Sequence, residues 1–203
     1  NEQSQVEFDG KNAFVYAQSQ VDFGPRTPGS EAHQKTIEFI KEELYSFGWN
    51  VDNQSEEVNG YLIQNIVGKY PSTTKEPWII IGAHYDSRFY ANKDPDSSKR
   101  LQPVVGANDG ASGVAVLLEL ARVIPPDLNK NIWFVFFDAE DQGNIEGWDW
   151  ILGSRSFVTT LENKPDAVII LDMIGDKDLN VFYEGHSDVN LQKEIWNIEN
   201  WNN

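Results

Sequence analysis

The sequence predicts an α/β fold with a mostly parallel central sheet and helices on both faces. Three observations lead there: continuous apolar runs of strand length, segments of helical periodicity between them, and short connections throughout.

Taken in order, Glu31 to Phe47 reads as an amphipathic helix, with Ile37, Ile40, Leu44 and Phe47 recurring at helical spacing. Ser30 suits its N-cap and Gly48 its C-terminal cap. Leu62 to Val67 alternates as a strand does. Trp78-Ile79-Ile80-Ile81 is continuously apolar, the pattern of a strand covered on both faces, and it ends at Gly82-Ala83-His84. Gly113 to Ile124 follows as a helix with Val114, Leu117, Leu118 and Ala121 facing inward. Asn131 to Phe137 is a second buried strand, ending at Asp138-Ala139-Glu140-Asp141. A helix runs through about Trp150 to Leu161, and Val168-Ile169-Ile170-Leu171 is a third buried strand, ending at Asp172. Leu191 to Ile198 is helix-like.

The 203 residues suit one domain, 1–203, with 40% apolar residues to build its core. No run approaches the ~18 apolar residues of a membrane span. The polar start, Asn1 to Gln5, has no leader-like apolar region, so an export signal is expected to be cleaved or absent. The net charge of −16 argues against nucleic acid and anionic membranes as partners. It fits a cation or a cationic substrate, and equally fits mere solubility. Cysteine is absent, which excludes disulfides, a thiol nucleophile and thiolate zinc sites. Any metal must be held by Asp, Glu and the three histidines, His33, His84 and His186.

The polar residues fall where open α/β sheets bind ligands: each buried strand delivers a potential ligand at its C-terminal end. His84 has a carboxylate two residues on, at Asp86, which suits a metal ligand oriented by a second acid; a structural histidine is the alternative. Small residues flank Asp109 in Gly106-Ala107-Asn108-Asp109-Gly110-Ala111-Ser112-Gly113. They allow a tight backbone with one carboxylate pointing inward, or a plain loop with Asp109 or Ser112 as N-cap. The glycine spacing matches no nucleotide fingerprint. Glu140 and Asp141 would repel each other in a low dielectric, and a divalent cation removes that cost while splitting their roles into ligand and proton acceptor. A solvated acidic turn is the other reading. Asp172, directly after an apolar strand, needs a partner: a metal, a hydrogen bond or a helix terminus.

Together, His84-Tyr85-Asp86-Ser87, the Gly106–Gly113 loop, Phe137-Asp138-Ala139-Glu140-Asp141 and Leu171-Asp172-Met173-Ile174-Gly175 resemble metallopeptidase family 28, which holds zinc aminopeptidases and animal-type glutaminyl cyclases. The likeness runs from about Val21 to Trp196 and implies a zinc-exopeptidase (phosphorylase/hydrolase-like) fold with one or two zinc ions. By that resemblance His84 and Asp172 bind one zinc, Asp109 bridges to a second, and Asp141 binds the second. Glu140 is the general base and Asp86 orients His84. The substrate is a peptide with a free N-terminus, and the location is secreted or the cell envelope. The family's remaining ligand, a histidine far downstream, has no counterpart before Asn203, so the domain is expected to lack the family's C-terminal segment. His186 lies too near Asp172 to match it. Phe23-Gly24-Pro25-Arg26-Thr27-Pro28-Gly29-Ser30 and Trp150 to Phe157 resemble the cyclase branch, whose single zinc would fall to Asp109, Asp141 and the missing histidine. The Asp109 loop resembles the peptidases, and aminopeptidase is the favoured expectation. A non-catalytic relative that keeps the metal is a third. Trp148 and Trp150 are candidates to line a substrate pocket, or simply to pack.

Overall fold

The computed structural model describes residues 7–70, 72, 78–125, 128 and 130–198. The polar start, residues 1–5, lies outside them. The elements are α1 (Gly10–Phe23), α2 (Glu31–Ser46), β1 (Asn50–Val58), β2 (Tyr61–Lys69), β3 (Trp78–His84), α3 (Ala111–Val123), β4 (Asn131–Phe137), α4 (Leu152–Thr159), β5 (Ala167–Ile170) and α5 (Val189–Trp196).

These strands form one sheet in the order β1-β2-β4-β3-β5. β3 pairs in parallel with β4 and with β5, while β2 runs antiparallel to both β1 and β4. Four strands therefore share a direction and only β2 opposes them, as a mostly parallel sheet requires. Alternate residues of the central strands feed two cores. On one face Ile66, Ala83, Phe134 and Phe136 meet Ile37, Ile40 and Leu44 of α2 and Val114, Leu117 and Leu118 of α3. On the other, Val67, Ile80, Val135 and Phe137 meet Phe157 of α4. Helices on both faces explain why β3 and β4 read as unbroken apolar runs. β5, expected as a third buried strand, is instead an edge strand with Val168 and Ile170 exposed, because among the described residues no strand pairs with its outer side.

Ser30 caps α2 as expected, its Oγ accepting from the His33 N–H at 3.1 Å. Gly48, at φ +84°, sits just past the end of α2, and its N–H donates to the Tyr45 carbonyl. Two elements carry weaker sequence signals and were not expected. α1 buries only Ala13, Tyr16 and Gln20. β1 is largely polar because it is an edge strand, joined to β2 by a tight turn with Asn59 and Gly60 both at positive φ. Among the described residues, no helix is long and apolar enough to cross a membrane.

Candidate metal centre

Parallel pairing fixes where the polar residues arrive. The register sets Gly82 opposite Ile170 and His84 opposite Phe137, so the residues just after β4 and β5 emerge level with His84 at one sheet edge. Leu171 extends that pairing, its N–H donating to the Gly82 carbonyl at 2.8 Å, and leaves Asp172 as the next residue.

His84 is buried. Its Nδ1 faces Asp86 Oδ1 at 3.4 Å, and its Nε2 lies 3.0 Å from Asp109 Oδ1 and 3.6 Å from Asp172 Oδ1. Shielded from solvent, Nε2 nonetheless makes no hydrogen bond of acceptable angle with either acid. Ligand atoms of His84, Asp109 and Asp172 all lie within 4.8 Å of one another. A histidine nitrogen orphaned between two carboxylates fits a divalent cation such as zinc, which takes N and O donors. Burial alone would lower the His84 pKa, but Asp109, Asp172 and Asp86 outweigh it and raise it well above the ordinary value.

The two acids reach His84 because their loops are stitched together. Gly106 and Gly110 both take positive φ, and Gly110 occupies the N-cap of α3 with no side-chain cap bond. Neither Asp109 nor Ser112 caps the helix by a side-chain bond. Ser112 Oγ instead donates to the Asn108 carbonyl at 2.6 Å and accepts from the Ile174 N–H at 3.1 Å, while Asn108 Oδ1 accepts from the Gly175 N–H at 2.8 Å. The 108–112 and 172–175 segments are thereby locked side by side.

Asp86 organises the rest. Fully buried, it accepts from the Glu140 N–H at 2.9 Å, the Asp141 N–H at 3.3 Å and Gln142 Nε2 at 2.9 Å. Burial would raise its pKa, but His84 and these donors hold it below the usual value. Ala139, at φ +48°, turns the chain so that these amides face Asp86. Glu140 has no such donors. Burial first, then repulsion from Asp86, Asp141 and Asp172, lifts it to about 7, with His84 opposing. Asp141 rises to about 6 through burial and repulsion from Asp109 and Asp86, against Arg88, whose Nη1 sits 3.6 Å from Asp141 Oδ1.

Asp141 stands outside the His84–Asp109–Asp172 group and lines, with Asp109, Arg88, Tyr90 and Trp150, an adjoining cavity of 480 Å³. Trp150 covers Gly143 and takes the Arg88 guanidinium over its ring at 5.2 Å. Trp148 packs between Tyr61 and Phe89, with ring centroids 5.2 and 5.1 Å away. His186 is exposed, and His33 is occupied by Asp138, its Nε2 being 2.8 Å from Asp138 Oδ1. A larger cleft of 860 Å³ lies at the opposite end of the sheet, around Trp78, Asn131 and Trp133, and holds none of these acids. Sequence reasoning missed Gln142 and Arg88. Each is a buried polar side chain within four residues of a candidate ligand, and that proximity was the available signal.

Residues 65–202 match the family model described as Peptidase family M28. The aminopeptidase YwaD of Bacillus subtilis is 37% identical over 121 residues, covering 55% of this chain and 22% of that protein. Among solved structures, a Zn-dependent exopeptidase from Parabacteroides distasonis superposes with a TM-score of 0.79 at 35% identity, over 86% of this chain and 64% of that one. A Tannerella forsythia glutaminyl cyclase superposes with a TM-score of 0.76 at 39% identity, over 84% and 63%. The chain thus spans less than two thirds of these proteins, and 42–48% of other curated relatives it matches.

Proposed function

Since the chain belongs to peptidase family M28, we propose that it is a zinc-dependent exopeptidase-type hydrolase that removes the N-terminal amino acid from peptides. The observation carrying this reading is the convergence of His84, Asp109 and Asp172 around an unpartnered, buried imidazole nitrogen, with Glu140 held beside them by Asp86. His84 and Asp172 would hold one zinc, and Asp109 would share it with a second position beside Asp141. Zinc bound there would polarise the substrate carbonyl and activate a water for attack.

The chain's own residues supply the rest. Glu140, half-buried beside the group with its N–H held by Asp86, would accept a proton from the attacking water and return it to the departing amine. Asp86 fixes the His84 ring and the Glu140 backbone together. The cavity edged by Tyr90 and Trp150 would receive substrate.

A second reading, glutaminyl-peptide cyclisation, is supported by the likeness to the cyclase structure. The first is favoured because the converging residues, His84, Asp109 and Asp172, are those the peptidase reading assigns to its first zinc. One assay separates them. The zinc-loaded chain is offered aminoacyl anilides and glutaminyl peptides, with Glu140→Ala as control. Release of free amino acid that vanishes in the variant supports hydrolysis; ring closure with ammonia release supports the cyclase. No turnover of either substrate by zinc-loaded chain would leave a non-catalytic, metal-binding relative.

A further inference from the structure

We infer that Arg26 is a positioning residue for the metal centre: one buried guanidinium ties the end of β3 to the Gly106–Gly110 loop and so sets how far His84 stands from Asp109. The inference rests on the proposed metal centre. It concerns a residue in the turn between α1 and α2, distant in sequence from every candidate ligand.

Arg26 is completely buried. Its Nε donates to the Tyr85 carbonyl at 2.8 Å, Nη1 to the Val105 carbonyl at 2.8 Å and Nη2 to the Gly106 carbonyl at 2.6 Å. Its own carbonyl accepts from the Ser87 N–H at 3.1 Å. Tyr85 lies between His84 and Asp86, and Gly106 opens the loop that carries Asp109. The guanidinium therefore spans the two ligand-bearing segments with one rigid plane.

The choice of residue argues for geometry over simple cohesion. Burying a cation carries a desolvation penalty, and apolar packing would fill the space without it. A lysine could reach one or two of these oxygens, but a planar fork reaches all three, one on the Tyr85 segment and two on the Val105-Gly106 segment. The loop is cut to admit the fork. A Cβ on Gly106 would meet Arg26 Nη2 at 2.9 Å and the Asp109 carbonyl at 2.6 Å. A Cβ on Gly110 would meet Arg26 Nη2 at 3.2 Å, the Asp86 carbonyl at 2.7 Å and His84 Cε1 at 3.4 Å. The two glycines that flank Asp109 thus allow backbone, guanidinium and His84 to approach closely. Arg26 also places a positive charge near Asp86 and Asp109.

The test uses Arg26→Lys, which keeps the charge, and Arg26→Met, which keeps the volume. In chelator, amide exchange across residues 85–87 and 106–111 is expected to quicken about tenfold in Arg26→Lys while core amides of β3 and β4 stay protected. In zinc competition, Arg26→Lys is expected to bind about 10- to 100-fold more weakly, the range seen when groups that orient ligands are lost. The cobalt-loaded variant should also show an altered d–d spectrum. Unchanged exchange in the loop of folded Arg26→Lys overturns the inference, as does wild-type zinc affinity with a wild-type cobalt spectrum. Global unfolding of Arg26→Met alone does not count against it, because Arg26→Lys carries the decision. If the wild type itself takes up neither metal, the metal-centre reading fails, and the exchange arm still decides whether Arg26 holds the loop.

Discussion

Replacing Glu140 by Gln should make the metal-free protein more stable, and increasingly so as pH rises from about 5 to 8. In the fold Glu140 titrates at about 7, against an ordinary 4.5. A group whose pKa is raised by folding binds its proton more tightly in the native state. Its contribution is complete below the unfolded value and is lost as pH climbs through the folded one. A displacement from 4.5 to about 7 amounts to about 3 kcal/mol once both states are ionised. At about pH 5 under a third of that is lost, which leaves a change of about 2 kcal/mol between about pH 5 and pH 8 after allowing for the half-buried site and for repulsion shared with Asp141. Glutamine has the same shape and no charge, and the Glu140 N–H bond to Asp86 is untouched. Urea unfolding in chelator, at both pH values, measures the difference directly. Glu140→Gln should exceed wild type by about 2 kcal/mol more at the higher pH than at the lower. An equal offset at both, or a larger gain at low pH, would refute the reasoning, because it would mean that burial and neighbouring acids do not set this proton's affinity.

Other outcomes follow from the same contacts. Asp109→Ala removes the residue nearest His84 Nε2, so elemental analysis after dialysis against trace zinc should show the bound metal lost. Asp86→Asn should weaken zinc binding about 10- to 100-fold, because the acid that orients the imidazole through Nδ1 becomes a poorer partner. Glu119, although burial raises its pKa, is held at about 2 by Arg122, the Asp9 N–H and Asn12, which tie α1 to α3. Its lowered pKa means stability that is present above 4.5 and lost as pH falls toward about 2. Glu119→Ala should abolish that acid dependence and open α1 to limited proteolysis.

β3 and β4 were legible because burial on both faces leaves no polar position within them, so Ile79–Ile81 and Ile132–Phe137 stand out from any flank; Val168–Ile170 shows the same apolar run, yet β5 lies at the sheet edge with Val168 and Ile170 exposed. Their ligands were legible for the same reason: an acid or histidine directly after such a run must sit at the sheet's C-terminal edge. β1 was not, because an edge strand with Glu56, Glu57 and Asp52 in solvent has no apolar face to show. The Asn59-Gly60 dipeptide before Tyr61 was its available signal. Nor could spacing show which acids converge. Asp109 reaches Asp172 through Ser112 and Asn108, two small polar residues that by sequence suit a helix terminus equally well. Asp141 is adjacent to Glu140 in sequence, yet Arg88 accompanies it in the neighbouring cavity.

The division of labour between Asp86 and Glu140 follows from where hydrogen-bond donors point. Both carboxylates stand among the same acids, and Asp86 is the more deeply buried, so burial alone would make it the more readily protonated. The turn after β4 reverses that order. With Ala139 in the left-handed region, the N–H groups of Glu140 and Asp141 and the Gln142 amide all address Asp86, which His84 also faces. Asp86 therefore stays ionised, and an ionised acceptor can hold the imidazole in one orientation. The same turn spends the Glu140 N–H on Asp86 and gives the Glu140 carboxylate none of these donors, so burial and repulsion raise its pKa to about 7. Two carboxylates whose environments push their pKa values apart become a fixed support and a proton carrier. One strained alanine turn produces both.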